Sequence, residues 1–325
     1  MGYMEKNPDV SVVVASHRSS LITGLLDSLQ RQGCSRISFE VLVVTDYPNG
    51  DLQNRYAALR WLYTADRSIS RKRNLGASIA QAAVLAFIDD DCIAAPDWLE
   101  QGYRYLTAHQ EAAAVEGHTA IETASGYSPQ ATREYRRLEK PGFRTNNLFL
   151  RTAAFRAVGG FDERFTVQRE DIDLAFSLLE QGHAIDYHRD IRVTHRFRHW
   201  EKWDLLKNCW NRRFDPLLFL KHPKRYWFMF RVPLPPTQAI VLFLHLLVLF
   251  SIGRKGKRAP LVAAADGAGA LFFGIRRSGL RPFSPEKWLR ESIQLVAAPV
   301  VVAAALVYGF AVLPGSRGSQ LRRLC

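Results

Sequence analysis

The sequence predicts an α/β protein: a mostly parallel, Rossmann-like sheet flanked by helices, followed by a C-terminal membrane-associated helical region. The prediction rests first on residues 10–91, which alternate β-branched runs with helically spaced ones. Two of those runs also end in acidic residues, Asp46 and Asp89–Asp91, at the edge where open parallel sheets bind ligands. Beyond about residue 200, aromatic and basic residues interleave and long uncharged runs begin.

Taken in order, "VSVVVAS" (10–16) reads as a buried strand and "LITGLLDSLQRQ" (21–32) as a helix with leucines on one face. "FEVLVVTD" (39–46) is a second strand, closed by the turn-forming "YPNGD". A serine begins the helix "SISRKRNLGASIAQA", and "VLAFIDDD" follows as another strand. "DWLEQGYRYLTAHQ" predicts a helix, "AAVEGHTAIE" a strand, and "TNNLFLRTAAFRAVGGFDERF" a strand followed by a short helix. The helix "REDIDLAFSLLEQG" (169–182) has an acidic start and a glycine stop, after which "AIDYHRDIRVTHRF" is extended.

The chain of 325 residues is expected to divide into an α/β domain over 1–200, which the resemblance given below makes the catalytic one, and an aromatic, basic and hydrophobic helical region over 201–325, membrane-associated. The runs 232–253 and 292–315 contain no Asp, Glu, Lys or Arg; 259–275 is interrupted by Asp266. The first and last are long enough to span a bilayer, but basic residues flank 232–253 on both sides, so spanning and re-entrant arrangements both stay open. Trp200, Trp203 and Trp210 read as core or interfacial anchors. "MGYMEKNPDV" lacks the apolar stretch of a secretory signal, which predicts a cytoplasmic N-terminal part.

With 47% hydrophobic residues a wholly disordered chain is excluded, and a net charge of +13 asks for an anionic partner. Cys34, Cys92, Cys209 and Cys325 form no CxxC pair, which argues against a zinc site or disulfide framework and fits a reducing compartment. Asp89, Asp90 and Asp91 stand directly behind an apolar strand. Adjacent carboxylates need a cation, either the basic residues of "RSISRKRN" or a divalent metal with oxygen ligands. Alternation along a strand would turn Asp89 and Asp91 to one side and Asp90 to the other.

Five stretches in sequence order, "VSVVVASHR", "FEVLVVTD", "SRKRNLGASIAQAAVLAFIDDDC", "TNNLFLRTAAFRAVGGFDERF" and "REDIDLAFSLLEQGHAI", resemble the inverting, nucleotide-sugar-dependent family 2 glycosyltransferases of the GT-A fold. The resemblance implies that Ala15, Ser16 and His17 line a nucleotide pocket and that Asp46 binds the base or ribose. It places Arg73 and Asn74 near the nucleotide and its phosphates, Asp89 and Asp90 on the nucleotide sugar, and Asp91 with Asp89 on a Mn²⁺ or Mg²⁺ ion. Gly160, Phe161 and Asp162 fall near the acceptor, and Asp171 matches the catalytic base. By its residues alone, Asp171 is equally a helix cap whose dipole would keep it ionised, and Glu170 competes with it from the same acceptor-side turn. His195 is a further candidate metal ligand, with a structural histidine as the alternative.

The first motif lacks the usual Pro and Asn, and Thr45 precedes a single Asp46 where the family usually has two acids. The Gln-x-x-Arg-Trp motif of processive synthases is absent, which implies transfer of one or a few sugars. The expected function is inverting transfer from a nucleotide-diphosphate sugar to a lipid-linked or cell-envelope glycan at the cytoplasmic membrane face. The expected partners include an anionic membrane surface and no nucleic acid, with one to three hydrophobic helices inserted. A metal-dependent nucleotidyltransferase would be expected to carry a glycine-rich loop after the first strand, and "ASHRSS" has none. A membrane-anchored nucleic-acid binder would be ill served by the acidic triplet.

Overall fold

In a computed structural model, residues 7–17, 20–33, 36–122, 136–196, 203–231 and 284–315 are described, with isolated residues between 243 and 272. They fall into two compact units, one ending at residue 196 and the other beginning at 203.

The first unit is an eight-stranded mixed sheet. Its strands are β1 (Val10–Ser16), β2 (Phe39–Thr45), β3 (Arg60–Tyr63), β4 (Val84–Ile88), β5 (Cys92–Ala94), β6 (Ala112–Ile121), β7 (Asn147–Arg151) and β8 (Ala184–His195), in the order β3-β2-β1-β4-β7-β6-β8-β5. Strands β1 to β4 pair in parallel; β7 runs antiparallel to β4 and β6, and β5 antiparallel to β8. The helices are α1 (Ile22–Gln30), α2 (Gly50–Arg55), α3 (Ile69–Ile79), α4 (Trp98–Ala108), α5 (Thr152–Ala157) and α6 (Glu170–Glu180). Two short edge strands, β3 and β5, and helix α2 were not legible in the sequence.

The central strands are mostly apolar because helices cover both faces. Val12, Val14, Val43, Ala86 and Phe149 pack with Leu25 and Leu26 of α1 and Trp98 of α4 on one face. Val13, Leu42, Leu85, Phe87 and Leu148 pack on the other with Ala77 of α3, Phe155 of α5 and Leu174 and Leu178 of α6. Period-two alternation therefore sorts consecutive residues into two cores. After α5, Gly159 (φ 85°) and Gly160 (φ 70°) take the left-handed conformation that glycine tolerates. The turn drives Phe161 into the second core, edge-on to Phe87 with ring centroids 5.3 Å apart.

The second described unit is helical: α7 (Asp204–Trp210), α8 (Asp215–Lys221), α9 (Pro223–Phe230) and α10 (Pro285–Val312). Helix α10 buries Ala298 and Val302 against Cys209 of α7, while Leu289, Ile293, Val300, Val307 and Phe310 are exposed. Its segment Trp288–Val312 is long and apolar enough to cross a membrane. In α9, Trp227 and Phe228 are exposed next to Lys224 and Arg225. Trp203 and Trp210 are also well exposed, so neither is a core anchor. Trp200 and most of the runs 232–253 and 259–275 lie outside the described residues.

One buried amide ties the sheet together. Asn147 accepts from Trp98 Nε1 at 2.8 Å and donates to the carbonyls of His118 (3.0 Å) and Ile191 (2.9 Å). Asn147→Leu strands three buried polar groups and is expected to destabilise the fold by about 3 kcal/mol, measured by chemical unfolding.

Candidate active site

The carboxyl ends of β1, β2, β4 and β8 and the amino ends of α3 and α6 supply the site residues. Helix α3 begins at Ser68, whose hydroxyl accepts from the Arg71 amide. Its first turns present Lys72, Arg73 and Asn74, all buried, toward three different partners.

Lys72 Nζ donates to Asp46 Oδ1 at 2.5 Å and to the Ser16 carbonyl at 2.8 Å, joining the ends of β1 and β2. Exposed Arg67 adds a second contact to Asp46 at 3.1 Å. Burial alone would raise the Asp46 carboxyl; the hydrogen bond and charge of Lys72 outweigh it and hold Asp46 below its ordinary range. Asn74 engages the backbone of Phe161, donating to its carbonyl and accepting from its amide, both at 2.9 Å, so its amide fixes the glycine turn.

Arg73 lies between two acids. Its Nη2 donates to Asp89 Oδ1 at 2.7 Å and its Nη1 to Glu170 Oε1 at 3.0 Å, with the guanidinium 5.4 Å from the Phe161 ring centroid. Burial opposes its charge, but Asp89 and Glu170 keep it above the usual guanidinium value.

The acidic triplet differs from the alternation expected along a strand. Strand β4 ends at Ile88, so Asp89–Asp91 form a turn and the two-residue period no longer applies. The three side chains diverge. Asp89 meets Arg73; Asp90 Oδ2 accepts from the Ser16 hydroxyl at 2.8 Å and the His17 amide at 3.2 Å; Asp91 Oδ1 lies 3.3 Å from His195 Nε2. Asp90 is therefore turned to the carboxyl end of β1, where the family resemblance leads one to expect nucleotide alongside Ala15, Ser16 and His17. The Ser16 hydroxyl also lies 2.8 Å from the Tyr47 hydroxyl.

His195 reaches Asp91 because β5 and β8 pair with Cys92 opposite His195. Asp91, Cys92 and His195 bring one ligand atom each within 4.8 Å of one another. Asp89 is not in that group, its carboxylate being directed at Arg73. A carboxylate and an imidazole suit Mn²⁺ better than Mg²⁺. Burial, then the charges of Asp91 and Asp89, push the Cys92 thiol well above its ordinary pKa, so it resists becoming a thiolate ligand.

Helix α6 carries the other carboxylates. Arg169, at φ 78°, turns the chain into the helix, and Asp171 Oδ1 accepts from the Ile172 amide at 2.7 Å. Burial raises the Asp171 carboxyl, against that amide and the charges of Arg73, Arg169 and Arg144. The helix start therefore does not depress Asp171 as expected; desolvation wins over the dipole. Glu170 is pushed up to about 7 by burial and by the adjacent Asp171 charge, with Arg73 opposing. Its Oε2 is buried without a hydrogen-bond partner, which suits the protonated form.

Of the residues expected near an acceptor, Phe161 is fully buried in the core, so its ring is not available to a ligand. Asp162 is buried and clasps Arg164 through Nε (3.0 Å) and Nη2 (2.6 Å). Lys72 and Tyr47 were missed in the sequence: each stood beside a predicted residue, but their partners lie 26 to 56 and 31 positions away.

The pair on α6 has a consequence for stability. Glu170's folded pKa, about 7, is above the ordinary 4.5, so its contribution is complete below pH 4.5 and lost as pH rises through 7. Glu170→Gln is therefore expected to gain thermal stability relative to wild type between pH 5 and pH 8, followed by paired melting curves.

Residues 11–162 match the family model "Glycosyl transferase family 2". A glucosyl-dolichyl phosphate glucuronosyltransferase of Haloferax volcanii is 25% identical over 49% of this chain and 58% of its own length. A validoxylamine A glucosyltransferase of Streptomyces hygroscopicus subsp. jinggangensis is 26% identical over 59% and 57%, respectively. The matched part of the chain thus spans less than three fifths of these relatives. A mannosyltransferase of Pyrobaculum calidifontis, solved with GDP-Man and Mn²⁺, shares the fold with a TM-score of 0.57 at 15% identity, covering 94% of this chain and 88% of that one. Residues 11–162 thus match the glycosyl transferase family 2 model, and the chain shares the GT-A fold of the Pyrobaculum mannosyltransferase.

Proposed function

We propose that this glycosyltransferase inverts configuration in a single displacement, with Asp171 as the base. The carrying observation is the Asp89–Arg73–Glu170 bridge, which joins the end of β4 to the turn that bears Asp171. In this reading the nucleotide occupies the edge formed by Ala15, Ser16, His17, Asp46 and Asp90, and the donor diphosphate lies toward Asp89 and Asp91. Asp171 takes the proton of an acceptor hydroxyl, the acceptor oxygen bonds to the anomeric carbon, and the bond to the nucleoside diphosphate breaks on the opposite face. Gly160, Asp162 and Glu170 belong to the acceptor side.

Asp91 and His195 would hold a divalent ion, whose charge stabilises the departing diphosphate. The GDP-Man and Mn²⁺ of the Pyrobaculum enzyme support a nucleotide-sugar donor and a metal of this kind. Burial and the adjacent Asp171 charge raise Glu170 more than Arg73 lowers it, so the proton shared within the α6 pair resides on Glu170 and leaves Asp171 the better acceptor.

The glucosyl-dolichyl phosphate named for the Haloferax relative favours a lipid-linked acceptor. So do exposed Trp227 and Phe228 and the apolar face of α10, which suit the cytoplasmic surface of an anionic membrane. The validoxylamine A enzyme supports a second reading, a small soluble acceptor.

Purified protein is expected to turn over a nucleotide sugar from a panel with Mn²⁺ and to stop with EDTA. Asp171→Asn is expected to lose at least about a hundredfold in kcat, the scale of a lost general base, and Asp91→Ala to lose turnover with its metal. Full activity in Asp171→Asn would remove that residue as the base. Cell fractionation is expected to find the chain with membranes; complete recovery in a low-salt soluble fraction would favour the soluble acceptor.

A further inference from the structure

Glu116, on β6, is a buried carboxylate that neither the donor edge nor the α6 pair uses. Its oxygens accept from the Gly142 amide (3.1 Å to each) and the Phe143 amide (2.8 Å). The Arg144 backbone also donates to it, and Arg144 Nη1 stands 4.0 Å from Oε1. Burial raises the Glu116 carboxyl, opposed by these backbone donors and by Arg144.

A carboxylate gripping successive amides is an expensive way to hold an ordinary loop. What it holds is strained. Phe143 has φ 59°, costly for a residue with a bulky side chain. The conformation sets the Phe143 ring edge-on to Phe176 of α6, centroids 6.5 Å apart. Phe143 also lines a small void together with Asp171, Leu148, Leu174 and Ala175. Arg144 folds back onto the carbonyls of Lys140 and Arg137, the latter at 2.7 Å, which fixes its guanidinium.

We propose that Glu116 is a positioning residue for transfer: its grip on residues 142–144 makes Phe143 the acceptor-side wall beside Asp171 and sets Arg144 within electrostatic reach of that carboxylate. The proposal rests on Asp171 being the base. The charged groups acting on Asp171 are Arg73 from α3, Glu170 and Arg169 from its own turn, and Arg144 from this loop. Of these, Arg144 alone depends on Glu116. The facing residues of β7 and β8, Leu148 and Ile185, are apolar. An acceptor stacked on Phe143 would present its hydroxyl to a base whose proton affinity the loop restrains.

The test uses the full chain in two measurements. Hydrogen exchange of a peptide over 140–146 is expected to accelerate at least about tenfold in Glu116→Gln, since the amide side chain offers one acceptor oxygen for three donors. Exchange in β1 and β4 should stay as in wild type. The acid limb of nucleotide-sugar hydrolysis, read without acceptor, is expected to move up by about half a pH unit or more in Glu116→Gln and in Arg144→Gln, because losing or displacing a nearby cation raises Asp171. A purely structural Glu116 would change exchange and leave the limb in place, which overturns the proposal. So does wild-type exchange in Glu116→Gln. If that variant does not fold, Arg144→Gln decides by its limb alone. Absence of turnover in wild type would instead sink the reading of Asp171, and the exchange measurement would still decide the grip.

Discussion

The bridge from Asp89 through Arg73 to Glu170 is the constraint on which the site depends. A buried guanidinium is tolerable only when hydrogen-bonded to countercharges, because its desolvation cost is several kcal/mol. Here its partners are the Asp89 carboxylate at the end of a central strand and the Glu170 carboxyl at the first residue of α6, 16 and 97 positions away in sequence. Satisfying one cation therefore fixes the spacing between the Asp89–Asp91 turn and the helix that bears Asp171. The same guanidinium lies over Phe161, which the glycine pair turns into the core. Packing and electrostatics thus fix the same geometry.

Around that bridge the triplet is divided rather than shared. Each carboxylate has its own neighbour: Arg73 for Asp89, the β1 end for Asp90, His195 for Asp91. Divergence lowers the mutual repulsion that three adjacent charges would otherwise suffer. In the proposed mechanism that divergence places nucleotide on one side and cation on another. Lys72 neutralises Asp46 in the same manner, so this edge of the sheet carries paired charges rather than a bare acidic cleft.

Much of the fold was legible because its signals are local. The β-branched run of "VSVVVAS", the serine before α3 and the glycine after α6 fixed those elements to within a few residues. Edge strands β3 and β5 were not, since four residues such as "RWLY" and three such as "CIA" carry no period. The site was legible only where chemistry clusters in sequence, as at Asp89–Asp91 and Arg73–Asn74. Lys72, Tyr47 and Glu116 were silent because their significance lies in partners brought close by folding. Asp171 was found by resemblance, but its raised proton affinity comes from burial, which no local pattern encodes.

The most direct measurement is the unfolding free energy and nucleotide-sugar turnover of Arg73→Met against wild type. The account expects a loss of about 3–5 kcal/mol, the cost of leaving buried acids without their cation, together with loss of turnover. An Arg73→Met protein as stable and as active as wild type would contradict it.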